Sequence, residues 1–183
     1  MEQTTGKTTW KLDPTHSELT FRVKHLMITN VKGEFRKFDA TVETTGDSFS
    51  NAQVEAVIDA DSIDTNNTDR DKHLRSADFF EVEKFGQIRF TSTGFTKLDD
   101  ENFQLKGQLE MKGVSKEITL EVDFGGFIKD PYGNHKAGFT VHGKFNRKDW
   151  GLNWNAALEA GGVMVSDEVR VNAEVQFVKQ AQA

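Results

Sequence analysis

Along most of the chain, apolar and polar residues alternate with a period of two, the signature of strands that bury one face and wet the other. Leu19, Phe21 and Val23 alternate with Thr20, Arg22 and Lys24, and Val31, Gly33 and Phe35 continue the pattern. The phase slips at Arg36-Lys37 and resumes with Phe38, Ala40 and Val42. Such a slip predicts a bulge, which bends a strand. Further runs occupy 52–58, 88–90, 103–111, 118–124, 137–145 and 169–177. The whole pattern predicts about eight strands.

Residues that reverse a chain stand between the runs: Thr45-Gly46-Asp47, Lys97-Leu98-Asp99-Asp100, Lys112-Gly113 and Asp130-Pro131-Tyr132-Gly133-Asn134. Each suits a hairpin, so strands adjacent in sequence are predicted to pair antiparallel. One connection differs. Asn66-Asn67-Thr68-Asp69 offers helix N-caps and Asp71-Lys72-His73-Leu74-Arg75 is helix-forming, which predicts one short helical insertion between 65 and 80. The stretch 150–162, rich in small residues, reads as a long loop or a brief helix. Strands with one apolar face form a sandwich or a barrel, and closure is favoured because it removes exposed edges. The expectation is an all-β fold, a closed antiparallel barrel. At 183 residues it forms a single domain over 1–183, with flexible ends at 1–9 and 178–183.

Composition narrows what the barrel holds. The chain has 15 Phe against one Tyr, and Phe carries no hydroxyl that needs a partner in a dry interior. Small residues (Gly33, Ala40, Ala52, Ala56, Gly107, Gly143) share the inward face with Phe. They either fill the bore or leave a slot, and eight-stranded barrels do both. A net charge of −6 with no visible basic face predicts no nucleic-acid partner. The absence of cysteine removes disulfides, thiolate zinc sites and a cysteine nucleophile. Residues 1–9 lack the apolar core of a secretory signal, and no later run is long enough to span a bilayer. The expectation is no membrane insertion and a cytoplasmic location as given, or a periplasmic one if a leader was trimmed.

Two polar clusters invite chemistry: Asp13-Pro14-Thr15-His16-Ser17 with His25, and Asp69-Arg70-Asp71-Lys72-His73. A Ser/His/Asp triad fails because adjacent strand residues face opposite ways and no G-x-S-x-G elbow occurs. The five histidines lack H-x-H or H-x-x-x-H spacing, so no metal site is expected. Arg70 and Asp71 either tie the insertion to the barrel or meet a polar head group at its mouth. Phe79-Phe80 points to that mouth, since two adjacent aromatics face one way in a loop but not in a strand.

Over residues 10–177 the sequence resembles the YceI-like family of lipocalin-like, polyisoprenoid-binding bacterial proteins. The resemblance rests on Asp13-Pro14-Thr15-His16-Ser17 leading to Phe21-Arg22-Val23-Lys24-His25, then on Arg70-Asp71-Lys72-His73-Leu74 with Phe79-Phe80. Gly107-Gln108-Leu109-Glu110-Met111-Lys112-Gly113-Val114 and Arg147-Lys148-Asp149-Trp150-Gly151-Leu152 add to it. One departure is Phe85-Gly86, where family members tend to have an aromatic followed by proline. The resemblance implies an elongated lipocalin-like barrel that carries or stores a polyprenyl compound, isoprenoid quinone or fatty-acid-like lipid. It implies no catalytic residues, no cofactor and often a homodimer. Carried onto this chain, it places Phe21, Phe35, Phe38, Phe79, Phe80, Phe90, Phe139, Phe145 and Trp150 along the tail. His16, His25, Arg70 and His73 then stand near the polar end. The rival expectations are an enzyme or metal-dependent site at the mouth, and a stress-related structural module with a filled core.

Overall fold

The computed structural model describes residues 6–26, 28–46, 48–155 and 165–181. Its strands are Lys7–Leu12 (β1), Glu18–His25 (β2), Thr29–Phe35 (β3), Phe38–Thr45 (β4), Ser48–Asp59 (β5) and Ile63–Asp64 (β6). After the helix Thr68–Arg75 (α1) follow Gln87–Lys97 (β7), Asn102–Met111 (β8), Val114–Lys129 (β9), His135–Asn146 (β10) and Val165–Lys179 (β11). Neighbouring pairs are antiparallel in the order β1-β4-β5-β7-β8-β9-β10-β11, and β11 returns to β1 from Trp10↔Lys179 to Leu12↔Phe177. That return closes a barrel of eight strands.

The remaining strands lengthen the wall. Residues 165–174 of β11 pair with β2, beyond the stretch that pairs with β1, so β1 and β2 are two halves of one bent strand. Asp13 makes the bend. Its carboxylate caps a short turn at Pro14–His16 by accepting from the Thr15 backbone N–H at 3.1 Å, and Pro14 supplies a preset φ. β3 and β4 are likewise halves of one strand, split where the phase slips. There the Arg36 N–H donates to the Ser62 carbonyl (3.1 Å) and the Lys37 N–H to Ser62 Oγ (3.0 Å).

Two expectations about the chain ends need correction. β1 starts at Lys7, inside the stretch read as a flexible N-terminus, and β11 reaches Lys179 at the other end. The alternation of β1 is masked because Thr8 takes a buried position beside Trp10 and Leu12. The stretch 150–162 is only partly described: Arg147–Trp150 form a short 3-10 turn, and 156–164 lie outside the described residues.

At one end the bore is floored by aromatics. The Trp10 ring lies 5.2 Å from Phe49, which meets Phe139 edge-on at 5.0 Å, and Phe124 packs on Phe139 at 5.2 Å. Trp10 Nε1 donates to Thr44 Oγ1 at 3.2 Å, so the indole polar atom is satisfied in a dry place. Small inward residues do not by themselves leave space. The Phe21 ring covers Gly33, Phe90 covers Gly107, and a Leu120 methyl covers Gly143.

Gly107→Ala is expected to cost about 1–3 kcal/mol in urea unfolding, because its methyl would meet the Thr91 carbonyl at 2.6 Å as well as the Phe90 ring. Gly94→Ala, facing open space, is expected to be near neutral, and equal losses would refute this packing. A second prediction concerns acid. Hydrogen bonds from His16, then Thr15 and Lys136, hold the Asp13 carboxyl well below the usual carboxylate range. The stability it adds is present above the unfolded pKa of about 3.9 and is lost as pH falls toward the depressed folded value. Asp13→Asn is therefore expected to lose about 1–2 kcal/mol at pH 7, a gap that narrows as thermal unfolding is repeated below about pH 4.

Candidate functional site

The opposite end of the barrel is open, and its rim is made by the β2–β3 hairpin, the β8–β9 hairpin and α1. α1 forms because Asn67 caps it, its side chain accepting the Arg70 N–H at 3.0 Å. Thr65 ties the helix down. Asp71 Oδ1 accepts both the Thr65 N–H (2.9 Å) and its hydroxyl (2.5 Å), while Arg70 donates to Thr65 Oγ1 and to its carbonyl, each at 2.7 Å. Of the two roles open to Arg70 and Asp71 in the sequence, the tie is therefore seen directly. Arg70 nonetheless also faces the cavity.

Inside lie two apolar chambers in series. The bore, about 200 Å³, is walled by residues that include Phe38, Ala56, Phe90 and Phe139. The mouth chamber, about 580 Å³, lies under α1 and the Phe79-Phe80 loop. Phe21, Phe35, Phe145, Met111 and Val171 border both. The mouth chamber alone falls in the usual range of ligand cavities, about 300–1,000 Å³.

Eleven of the thirteen side chains proposed from the sequence line one chamber or both. Phe79 and Phe80 do face the same space, because hydrogen bonds from their N–H groups to Ser76 and Leu74 carbonyls wind this loop back over the opening. His25, Arg70 and His73 stand at the mouth. His73 is wedged edge-on between Phe79 (5.1 Å) and Trp154 (4.6 Å), and its Nε2 is hydrogen-bonded to Asp78 Oδ2 at 2.8 Å.

Two do not line a chamber. His16 sits in the Pro14–His16 turn rather than on a strand, with Nδ1 2.8 Å from Asp13 Oδ2, on the outside of the wall. Ser17 is also occupied, its Oγ accepting the Gln176 N–H at 3.0 Å. Trp150 is buried beneath the mouth, where its Nε1 donates to the Leu109 carbonyl (2.8 Å) and its ring meets Phe145 at 5.0 Å. Its work is packing behind the wall. Among the described residues no three His, Asp or Glu side chains gather as a metal site.

Arg147 is a chamber residue that no spacing in the sequence singles out. It lines the mouth chamber yet is only 3% exposed. Its guanidinium donates to the carbonyls of Leu152 (2.5 Å), Ser166 (2.9 Å) and Val165 (3.4 Å), and no carboxylate lies within ion-pair distance among the described residues. Burial pulls its pKa down, partly offset by the charge of Asp167. Arginine stays charged under such a shift, so the chamber is bordered by a buried cation held by neutral dipoles. Arg147→Met strands these carbonyls and is expected to cost about 3 kcal/mol in chemical denaturation. Arg147→Lys, which keeps the charge but loses the fork, should fall between; an unchanged midpoint in the Met variant would rule out this anchoring role.

Known proteins share this sequence pattern and this fold. A UPF0312 protein of Staphylococcus aureus strain N315 is 41% identical over 171 residues, which cover 93% of this chain and 97% of that protein. The crystal structure of a Campylobacter jejuni YCEI protein superposes with a TM-score of 0.75 at 33% identity, covering 86% of this chain and 90% of that one. A polyisoprenoid-binding domain from Saccharophagus degradans, implicated in plant cell wall breakdown, shares the fold at a TM-score of 0.69 and 17% identity, covering 93% and 98%. The model of the YceI-like domain matches residues 10–177, and the chain belongs to that family.

Proposed function

We propose that this protein binds the chain of an isoprenoid-type lipid in its bore and holds the head group at the mouth, carrying or storing it without chemical change. Polyprenyl compounds, isoprenoid quinones and fatty-acid-like molecules all meet the requirement of a long apolar tail. The observation that carries the reading is the adjacency of the two apolar chambers, which share Phe21, Phe35 and Phe145 as lining and lie between an aromatic floor and a polar rim. Family membership supports it, as does the fold shared with a polyisoprenoid-binding domain. Each methylene moved from water into this lining contributes about 0.8 kcal/mol before ordering costs, so affinity needs few hydrogen bonds. Lys24, His25, Arg70 and His73 are the basic side chains on the chamber wall that a head group would meet, while Arg147 is held by backbone carbonyls. A homodimer, expected from the family resemblance, is a separate proposal for sedimentation to decide.

Organic extraction of the purified protein followed by mass spectrometry is expected to release a long-chain lipid. Absence of any such lipid, together with no saturable binding of an added polyprenyl alcohol, would sink the carrier reading in favour of a filled core. Ala56→Phe projects a ring into the bore and is expected to weaken polyprenyl binding at least tenfold, from about two to three displaced methylenes, with little loss of melting temperature. Gly107→Phe is the poorer probe, since the Thr91 backbone already blocks that position.

A further inference from the structure

One hairpin carries charge against the trend of the whole molecule. The chain has a net charge of −6, yet from Leu19 to Gly33 it contains Arg22, Lys24, Lys32 and His25 and no acidic residue. This stretch is the outer part of the β2–β3 hairpin, whose strands wall the mouth chamber; the hairpin's two acids, Glu18 and Glu34, stand at its base, and Glu34 is paired with Arg36 at 3.5 Å.

The hairpin's cations are also set in a row with others. Register places Arg22 directly opposite Lys32 on one side and Arg170 on the other, and Arg170 opposite Lys144. Four exposed cations thus stand side by side across β3, β2, β11 and β10. Like charges directly opposite each other destabilise a sheet, so folding gains nothing from this row. Glu168 answers only Lys144 (3.6 Å) and Arg170 (3.9 Å). Arg22, Lys24 and Lys32 have no carboxylate within 4.0 Å among the described residues.

The tip beyond these cations is apolar. Ile28 is 81% exposed, the most exposed aliphatic side chain among the large hydrophobics of the described residues, and a turn places it at the rim of the mouth. At about 3.3 Å per residue, Lys24 and Arg22 lie roughly 7–13 Å behind the tip. An apolar residue entering the boundary of a bilayer by about 5–10 Å would bring those cations to the phosphate layer.

We propose that the β2–β3 hairpin docks the open end of the barrel on an anionic lipid bilayer, with Ile28 as the inserted tip and Arg22, Lys24 and Lys32 on the head groups. The occupant follows from the combination. A cationic stripe alone suits any polyanion, but an apolar tip ahead of it, beside the opening of an apolar chamber, suits a lipid surface. Docking there lets a tail pass between bilayer and bore without crossing water. That last consequence rests on the lipid-carrier reading; docking itself does not.

The test is flotation of the full chain with vesicles of phosphatidylcholine alone or with 30% phosphatidylglycerol, at low and high salt. Binding is expected only with phosphatidylglycerol, and is expected to fall with salt. Arg22→Glu with Lys32→Glu should abolish it, since each basic residue near such a surface is worth about fivefold in affinity. Ile28→Ser should weaken it severalfold. All three positions lie outside the chamber lining, so uptake of a water-dispersed polyprenyl probe should be unchanged in these variants. No binding to anionic vesicles, equal binding to neutral ones, or indifference to the charge reversal would each overturn the proposal. So would conversion of a dimer to a monomer by Ile28→Ser in sedimentation, which would assign the tip to a protein interface. Vesicle binding without probe uptake would instead retain the docking and remove the carrier reading.

Discussion

The architecture depends on one strand serving two partners. β11 pairs through its last residues with β1 and through its earlier residues with β2, and the first contact closes the ring while the second extends it. A straight first strand would not follow both. The bend at Pro14–His16, capped by Asp13, makes the two pairings compatible, and the break at Arg36-Lys37 lets the next strand follow. Lys136 on β10 reaches Asp13 at 3.1 Å, so the same carboxylate also ties the bend to the wall beside it. The open mouth, the chamber and the cationic hairpin all lie on the β2–β3 side of these bends.

Closure then dictates the interior. Side chains of eight tilted strands converge on a bore too narrow for a large residue at every position, so glycine and phenylalanine are set against each other. Rings lie over Gly33 and Gly107 and use the room their missing side chains leave. The floor is sealed by aromatics, while toward the mouth the wall diverges and the larger chamber opens. Space is left where strands separate and a loop covers them, not where small residues are most frequent.

The mouth combines an apolar lining with cations that have different duties. Arg70 and Arg147 are committed to backbone and hydroxyl oxygens that hold the insertion and the crossing after β10. Arg22, Lys24 and Lys32 are not committed. Bound cations order the chamber from within, Lys24 stands at its edge, and Arg22 and Lys32 on the hairpin's outer face set the field that an approaching surface meets. The overall acidic composition conceals this division, because net charge averages over faces that never see the same partner.

Period-two alternation and turn residues determined the eight-stranded antiparallel wall, since these follow from local geometry and from which face meets water; the phase slip at Arg36-Lys37 marked an interruption, but the structure makes it a break held by Ser62 and not a bulge. The adjacency of Phe79 and Phe80 marked the mouth for the same local reason. β1 was illegible because a buried threonine breaks its apolar code, and His16 was misplaced because a capped turn looks like strand until its hydrogen bonds are seen. Only the tertiary structure decided that Trp150 packs behind the wall, that Arg147 borders the chamber, and that Lys32, Arg22, Arg170 and Lys144 form one row. Those facts depend on register and closure, which set Trp150 against Leu109 and Arg22 against Arg170, and no local pattern carries that information.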